Sequence, residues 1–240
     1  MLINLYDIIN EKWAIDFSLL QHKNKHTHFI SIRWLDGSWK TSLRDNLGKY
    51  FSEKWYIVIT GQAPCDRHLV NLLNNAISQN GYEDWYTEDL LFHFCDGLLS
   101  NYQRQVNGYC DYFICQRWPC DEYVQGIIRN KGAIRTYQEL YNLQKPERLI
   151  KFDDYICLNC DGKVAWERIK NDDNKDRYEY PEFLDKQSKQ TEKLYEDITK
   201  NKDSSLDFLR KSNHYYLDTT DKTINQTFEW ALSVLKKNKL

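Results

Sequence analysis

Phe29-Ile30-Ser31-Ile32-Arg33-Trp34-Leu35-Asp36-Gly37-Ser38-Trp39-Lys40-Thr41-Ser42 is the stretch on which the fold turns. Its first part, His28 to Arg33, is a short, largely apolar run that predicts a strand. Asp36, Gly37 and Ser38 supply turn chemistry, and Leu43, Leu47, Tyr50 and Phe51 then recur at helical spacing. A strand, a turn and a helix in immediate succession open an α/β unit. In a sheet built from such units, ligands lie at the carboxyl ends of the strands. The turn after this strand is therefore the first candidate site.

Outward from it the same alternation continues. Trp55 to Thr60 predicts a second strand, ended by Gly61 and Pro64. Residues 66–80 and 85–106 carry helical spacing, as in Leu69, Leu72, Leu73 and Ile77. Tyr109 to Cys115, Tyr155 to Cys160 and His214 to Leu217 predict three more strands. A closing helix carries Phe228, Ala231, Leu232 and Leu235 on one face. Strands alternating with helices imply an α/β fold of three layers, with a mainly parallel five-stranded sheet between helices. Residues 1–27 form an N-terminal extension, with a short leading helix and a polar linker from Gln21 to Thr27. Residues 28–240 form the main domain.

Composition narrows the function classes. The chain has 240 residues, 41% of them hydrophobic, which suffices for one large core. A net charge of -2 gives no reason to expect nucleic acid or an anionic membrane as a partner. No apolar run approaches the roughly eighteen residues of a spanning helix, and the first ten residues lack the pattern of a signal peptide. A cytoplasmic location is the expectation. Cys157 and Cys160 make a single CxxC with no second pair at zinc spacing, so they are read as small apolar residues of a buried strand. Cys110, Cys115 and Cys120 are read as packing residues. His22, His26 and His28, with no carboxylate nearby in sequence, are read as solvated.

Set against the phosphate-binding pattern G-x-x-x-x-G-K-[ST], the turn keeps Lys40 and Thr41 in place but carries Trp34 and Trp39 at the two glycine positions. The glycines of that pattern permit left-handed backbone and close approach of a phosphate. A tryptophan held left-handed costs about 1–2 kcal/mol, and its indole takes up room beside the amides. Lys40 and Thr41 also suit the plain start of a helix.

The stretch resembles the opening of thymidylate kinases, an apolar strand leading into Gly-Leu-Asp-Gly-Ser-Gly-Lys-Thr. The likeness continues in order. Thr87 to Phe92 with Asp96 is similar to that family's Glu-Leu-Leu-Leu-Phe helix, and Phe113 to Trp118 to its strand ending in Asp-Arg-Tyr. Val124-Gln125-Gly126 resembles its Tyr-Gln-Gly, and Tyr155 to Ile169 its fourth strand and following helix. Asp176 to Leu184 resembles its segment after the lid.

The resemblance implies a P-loop NTPase fold and a nucleoside-monophosphate kinase passing phosphate from ATP to dTMP, with ATP and Mg²⁺ as cofactors if active. It implies Lys40 and Arg117 as catalytic residues and Thr41 as the Mg²⁺ ligand. Asp36, Gly37, Ser38, Lys40, Thr41, Ser42, Arg168 and Arg177 would hold the donor nucleotide, with Lys170 and Lys175 as further lid cations. Phe92, Asp96, Arg117 and Gln125 would hold the acceptor. A homodimer is the partner expected from the family.

The same comparison exposes departures on both sides of the reaction. Gln62-Ala63-Pro64-Cys65 stands where the family has Arg-Glu-Pro-Gly, Gln116 replaces its strand Asp, and Gly97 replaces an Arg. Arg33 replaces an acid before the loop. Three functions follow: a kinase with impaired or lost catalysis, a non-catalytic nucleotide- or protein-binding pseudokinase with Trp side chains filling the phosphate site, and an assembly role.

Overall fold

The computed structural model describes residues 1–4, 26–62, 100, 103–116, 124, 127–128, 151–172, 179–200 and 203–237. Six strands occur among them: β1 (Leu2–Asn4), β2 (His28–Trp34), β3 (Val58–Gln62), β4 (Tyr112–Gln116), β5 (Asp154–Asn159) and β6 (Asn213–Asp218). The helices are α1 (Lys40–Glu53), α2 (Gly162–Ile169), α3 (Pro181–Thr199), α4 (Asp207–Arg210) and α5 (Ile224–Lys237). The strands form one sheet in the order β1-β3-β4-β2-β5-β6. Every pairing in it is parallel.

The expected strands thus recur, but the sheet has six strands rather than five. The addition comes from the segment assigned to the extension: Leu2 pairs with Val58 and Asn4 with Thr60 at the sheet edge. Three residues are too few to carry an alternation signal of their own, so pairing alone makes this strand.

Why β2 to β5 read as continuous apolar runs is plain from their two faces. Alternate residues serve different layers. Ile30, Ile32, Val58, Ile114, Ile156 and Leu158 pack under α1 and α5, against Leu43, Leu47, Ala231, Leu232 and Leu235. Phe29, Ile59, Phe113, Cys115, Tyr155 and Cys157 face the other way, toward Leu194 and Ile198 of α3. Cys157 and Cys160 fall in different clusters, Cys160 joining Leu35, Ala165, Ile169 and Leu184.

Charges at the amino ends of the strands are drawn together rather than solvated. The buried Asp154 carboxylate accepts from His28 Nε2 at 2.5 Å and Asn213 Nδ2 at 2.9 Å. His28 is therefore partly buried and paired, not solvated as its sequence surroundings imply; the carboxylate comes from a strand 126 residues away. His26 stays exposed and meets Asp153 at 3.2 Å.

β2 lies near the middle of the sheet. The chain first fills positions on one side of it with β3 and β4, then crosses to place β5 and β6 on the other. The loop leaving β2 stands at this reversal of strand order, where an open α/β sheet parts its crossover helices and leaves a crevice.

Candidate functional site

The loop between β2 and α1 turns on three left-handed residues: Trp34 at φ 91°, Gly37 at φ 76° and Trp39 at φ 72°. Both tryptophans at glycine positions have thus kept glycine-type backbone, at about 1–2 kcal/mol each. Gly37 has no alternative. A Cβ there would lie 2.6 Å from the Ala165 carbonyl oxygen, because the loop rests directly on α2.

The two indoles leave the loop in different directions. Trp34 is 2% exposed and turns into the core beneath α3, edge-on to Tyr195 with ring centroids 6.2 Å apart and tilted against Tyr216 at 6.5 Å. Trp39, the residue capping α1, remains partly exposed. Its ring lies 4.6 Å from the Arg168 guanidinium carbon, and its Nε1–H donates to the Lys222 carbonyl at 3.3 Å. It turns toward the β6–α5 connection.

Lys40, 6% exposed, folds back over the loop. Its ammonium donates to the Trp34 carbonyl and, at 2.8 Å, to Asp36 Oδ1. Ser38 closes the turn by donating from Oγ to the Leu35 carbonyl at 2.6 Å. Thr41 is exposed and Ser42 half-buried in the first turn of α1. Asp36, Gly37, Ser38, Lys40, Thr41 and Ser42 thus lie around one helix start.

Arg168 reaches the same place from α2. That helix is capped by Asp161, whose carboxylate accepts from the Lys163 and Val164 amides at 2.8 and 3.3 Å. Arg168 donates to the Gly37 carbonyl at 3.0 Å, to Thr219 O and Oγ1 at 2.7 and 3.3 Å, and to Thr220 O at 3.1 Å. It ties the loop to the β6–α5 connection. Lys170 points elsewhere, exposed and paired with Glu167 at 2.5 Å. Arg117, Arg177, Lys175, Phe92, Asp96, Gln125, Ala63, Cys65 and Gly97 lie outside the described residues.

Titratable groups around the loop are set by burial. Burial pushes the Cys160 thiol up to about 11, against the opposing pull of Arg168, so it is a protonated packing group at neutral pH. Arg33, at 0% exposure, sits over the Tyr155 ring at 3.7 Å and contacts His214 Nδ1 at 3.2 Å. Burial, and then this guanidinium, hold His214 down at about 3. A neutral His214 accepts from Arg33 at Nδ1 and donates from Nε2 to the Leu209 carbonyl at 2.8 Å. Gln116, buried at the end of β4, stands beside Ile32 of β2.

Sequence reasoning missed the segment Thr219 to Lys222 altogether. The one available signal was its turn chemistry, Asp218-Thr219-Thr220-Asp221, in which Thr220 N and Oγ1 both donate to Asp218 Oδ1. Nothing in that run states that a distant arginine and indole converge on it.

No protein-family model matches the chain, and no curated protein matches it in sequence. Solved structures do match. That of thymidylate kinase from Candida albicans superposes with a TM-score of 0.69 at 20% identity, over 89% of this chain and 93% of that one. At this identity the likeness is one of fold: the chain has the thymidylate-kinase type of P-loop NTPase architecture. Among the described residues no helix is long and apolar enough to cross a membrane.

Proposed function

We propose, on the premise of a thymidylate-kinase fold, that the chain is a nucleotide-binding protein of the nucleoside-monophosphate kinase type with strongly impaired phosphoryl transfer. One observation carries this reading. Trp34 and Trp39 hold left-handed backbone at the two glycine positions, so the loop keeps the backbone path that the glycines of a phosphate-binding loop provide.

The loop's own residues suggest the division of labour. Amides at the start of α1 and the Lys40 ammonium neutralise phosphate oxygens. Thr41, exposed in the first helical turn, is the residue available to Mg²⁺. Bound ATP–Mg²⁺ supplies the transferable phosphoryl group. Impairment is argued from the same geometry. Lys40 already gives two of its three N–H donors to Asp36 and the Trp34 carbonyl, so a phosphate must share the ammonium with the Asp36 carboxylate. Gln116, where the family carries an acid, has no charge with which to organise metal and acceptor. A non-catalytic binding protein is the limiting case of this reading. Trp34 argues against both indoles filling the phosphate site, because its side chain belongs to the core.

Calorimetric titration of the full chain with ATP–Mg²⁺, ADP and tripolyphosphate, beside a coupled assay over the nucleoside monophosphates, tests the proposal. Binding of at least one phosphate ligand is expected, weakened about tenfold or more by Lys40→Met, as loss of a charge-assisted hydrogen bond implies. Turnover is expected far below about 1 s⁻¹. Absence of binding, or binding indifferent to Lys40→Met, refutes the phosphate-loop reading. Ordinary turnover refutes the impairment.

A further inference from the structure

We propose that Trp39 is a built-in occupant of the place where the base of a loop-bound nucleotide would stack, so that the site reads phosphate chains and is indifferent to a base. This rests on the phosphate-loop reading above and specifies what that loop selects.

The receiving surface is built by Arg168 and the β6–α5 connection. Four hydrogen bonds, to Gly37 O, Thr219 O, Thr219 Oγ1 and Thr220 O, fix the guanidinium. Its face is thereby presented at a set angle, and a fixed cationic face is a stacking platform for a flat π-system. Beside it the Lys222 carbonyl accepts a hydrogen bond from the edge of that system. Together they take a planar bicycle with a nitrogen-bound hydrogen on its rim. The indole of Trp39 meets both demands, at 4.6 Å from the guanidinium carbon and 3.3 Å from the carbonyl.

A purine meets the same demands, being a fused five- and six-membered ring system whose exocyclic amino group donates to backbone carbonyls. It would also arrive from the right direction. Arg168 is bonded to the Gly37 carbonyl of the loop itself, so the platform adjoins the cradle in which the phosphates would lie. Indole and purine cannot both lie on one face of one guanidinium. The indole has the advantage of its tether: Trp39 directly precedes Lys40, and a linked group competes at an effective concentration in the millimolar range or above. What remains for a ligand is the loop amides and Lys40, which recognise phosphate alone.

The test compares ATP–Mg²⁺ with magnesium tripolyphosphate, by calorimetry, on the native chain and on Trp39→Gly and Trp39→Asn. Both replacements tolerate left-handed backbone, so at least one folded variant is expected, verified by circular dichroism. In the native chain the two affinities are expected to agree within about threefold. In the variants ATP is expected to gain about tenfold or more over tripolyphosphate, the low end of what base stacking contributes. ATP preferred about tenfold already in the native chain overturns the inference. So does an unchanged ratio in the variants; equal gains for both ligands would mean that Trp39 obstructs the phosphates instead. The phosphate-loop reading survives either result, and ATP binding without tripolyphosphate binding overturns this inference alone, whereas failure of both ligands to bind any of the three proteins removes the two together.

Discussion

Trp34→Gly and Trp39→Gly are the same substitution at two positions that look equivalent in sequence, and the structure assigns them different costs. Trp34 is 2% exposed and packs on Tyr195 and Tyr216, so deleting its indole empties a core site. Large aromatic truncations of that kind cost about 3–5 kcal/mol. Relief of the left-handed backbone returns about 1–2 kcal/mol, leaving a net loss of about 1–4 kcal/mol. In a domain of this size that lowers Tm by roughly 2–16 °C. Trp39 gives up a partly exposed stack on Arg168 and a 3.3 Å hydrogen bond to Lys222. Each is worth about 0.5–1 kcal/mol, and the same backbone relief offsets them, so the net change stays within about 1 kcal/mol. Urea unfolding followed by far-ultraviolet circular dichroism, with thermal scans alongside, avoids a signal that depends on the deleted tryptophan. Equal costs for the two variants, or a greater cost for Trp39→Gly, would refute this division of the indoles between core and surface.

Two further outcomes follow from the charged groups. His214 is held at about 3 in the folded chain against 6.5 ordinarily, so protons bind the unfolded chain first. Its contribution is whole above pH 6.5 and is lost as pH falls toward 3, at up to about 1.4 kcal/mol per pH unit. The urea midpoint should drop between pH 7 and pH 5 in the native chain and more shallowly in His214→Gln. Arg168→Lys replaces a fork holding four acceptors with a single point of charge, which cannot bridge Gly37 to Thr219 and Thr220. Hydrogen exchange at the Thr219 and Lys222 amides should quicken about tenfold or more, while α3 amides are unchanged. Equal acceleration in α3 would show a global effect instead.

Much of the fold was legible in the chain because parallel strands buried on both faces are apolar throughout. Ile30, Ile32, Ile114, Ile156 and Leu158 announce their strands without knowledge of any neighbour. The loop was legible for a related reason: Lys40 and Thr41 follow a strand and start a helix, and that junction is marked by residues close together in the chain. β1 was not, since three residues become a strand only by pairing with Val58 to Thr60.

The sequence by itself determined the order of β2 to β6, the helices α1 and α5, the place of the candidate site, and the loss of two glycines from it. Spacing along the chain carries all of these, because each depends on neighbours a few residues apart. Tertiary structure alone decided what the two tryptophans do. Trp34 and Trp39 share residue type, backbone region and motif role, yet one indole meets Tyr195 and Tyr216 and the other meets Arg168 and Lys222. Those partners lie more than a hundred residues away, and the direction of a side chain is set by which of them the folded chain brings within reach.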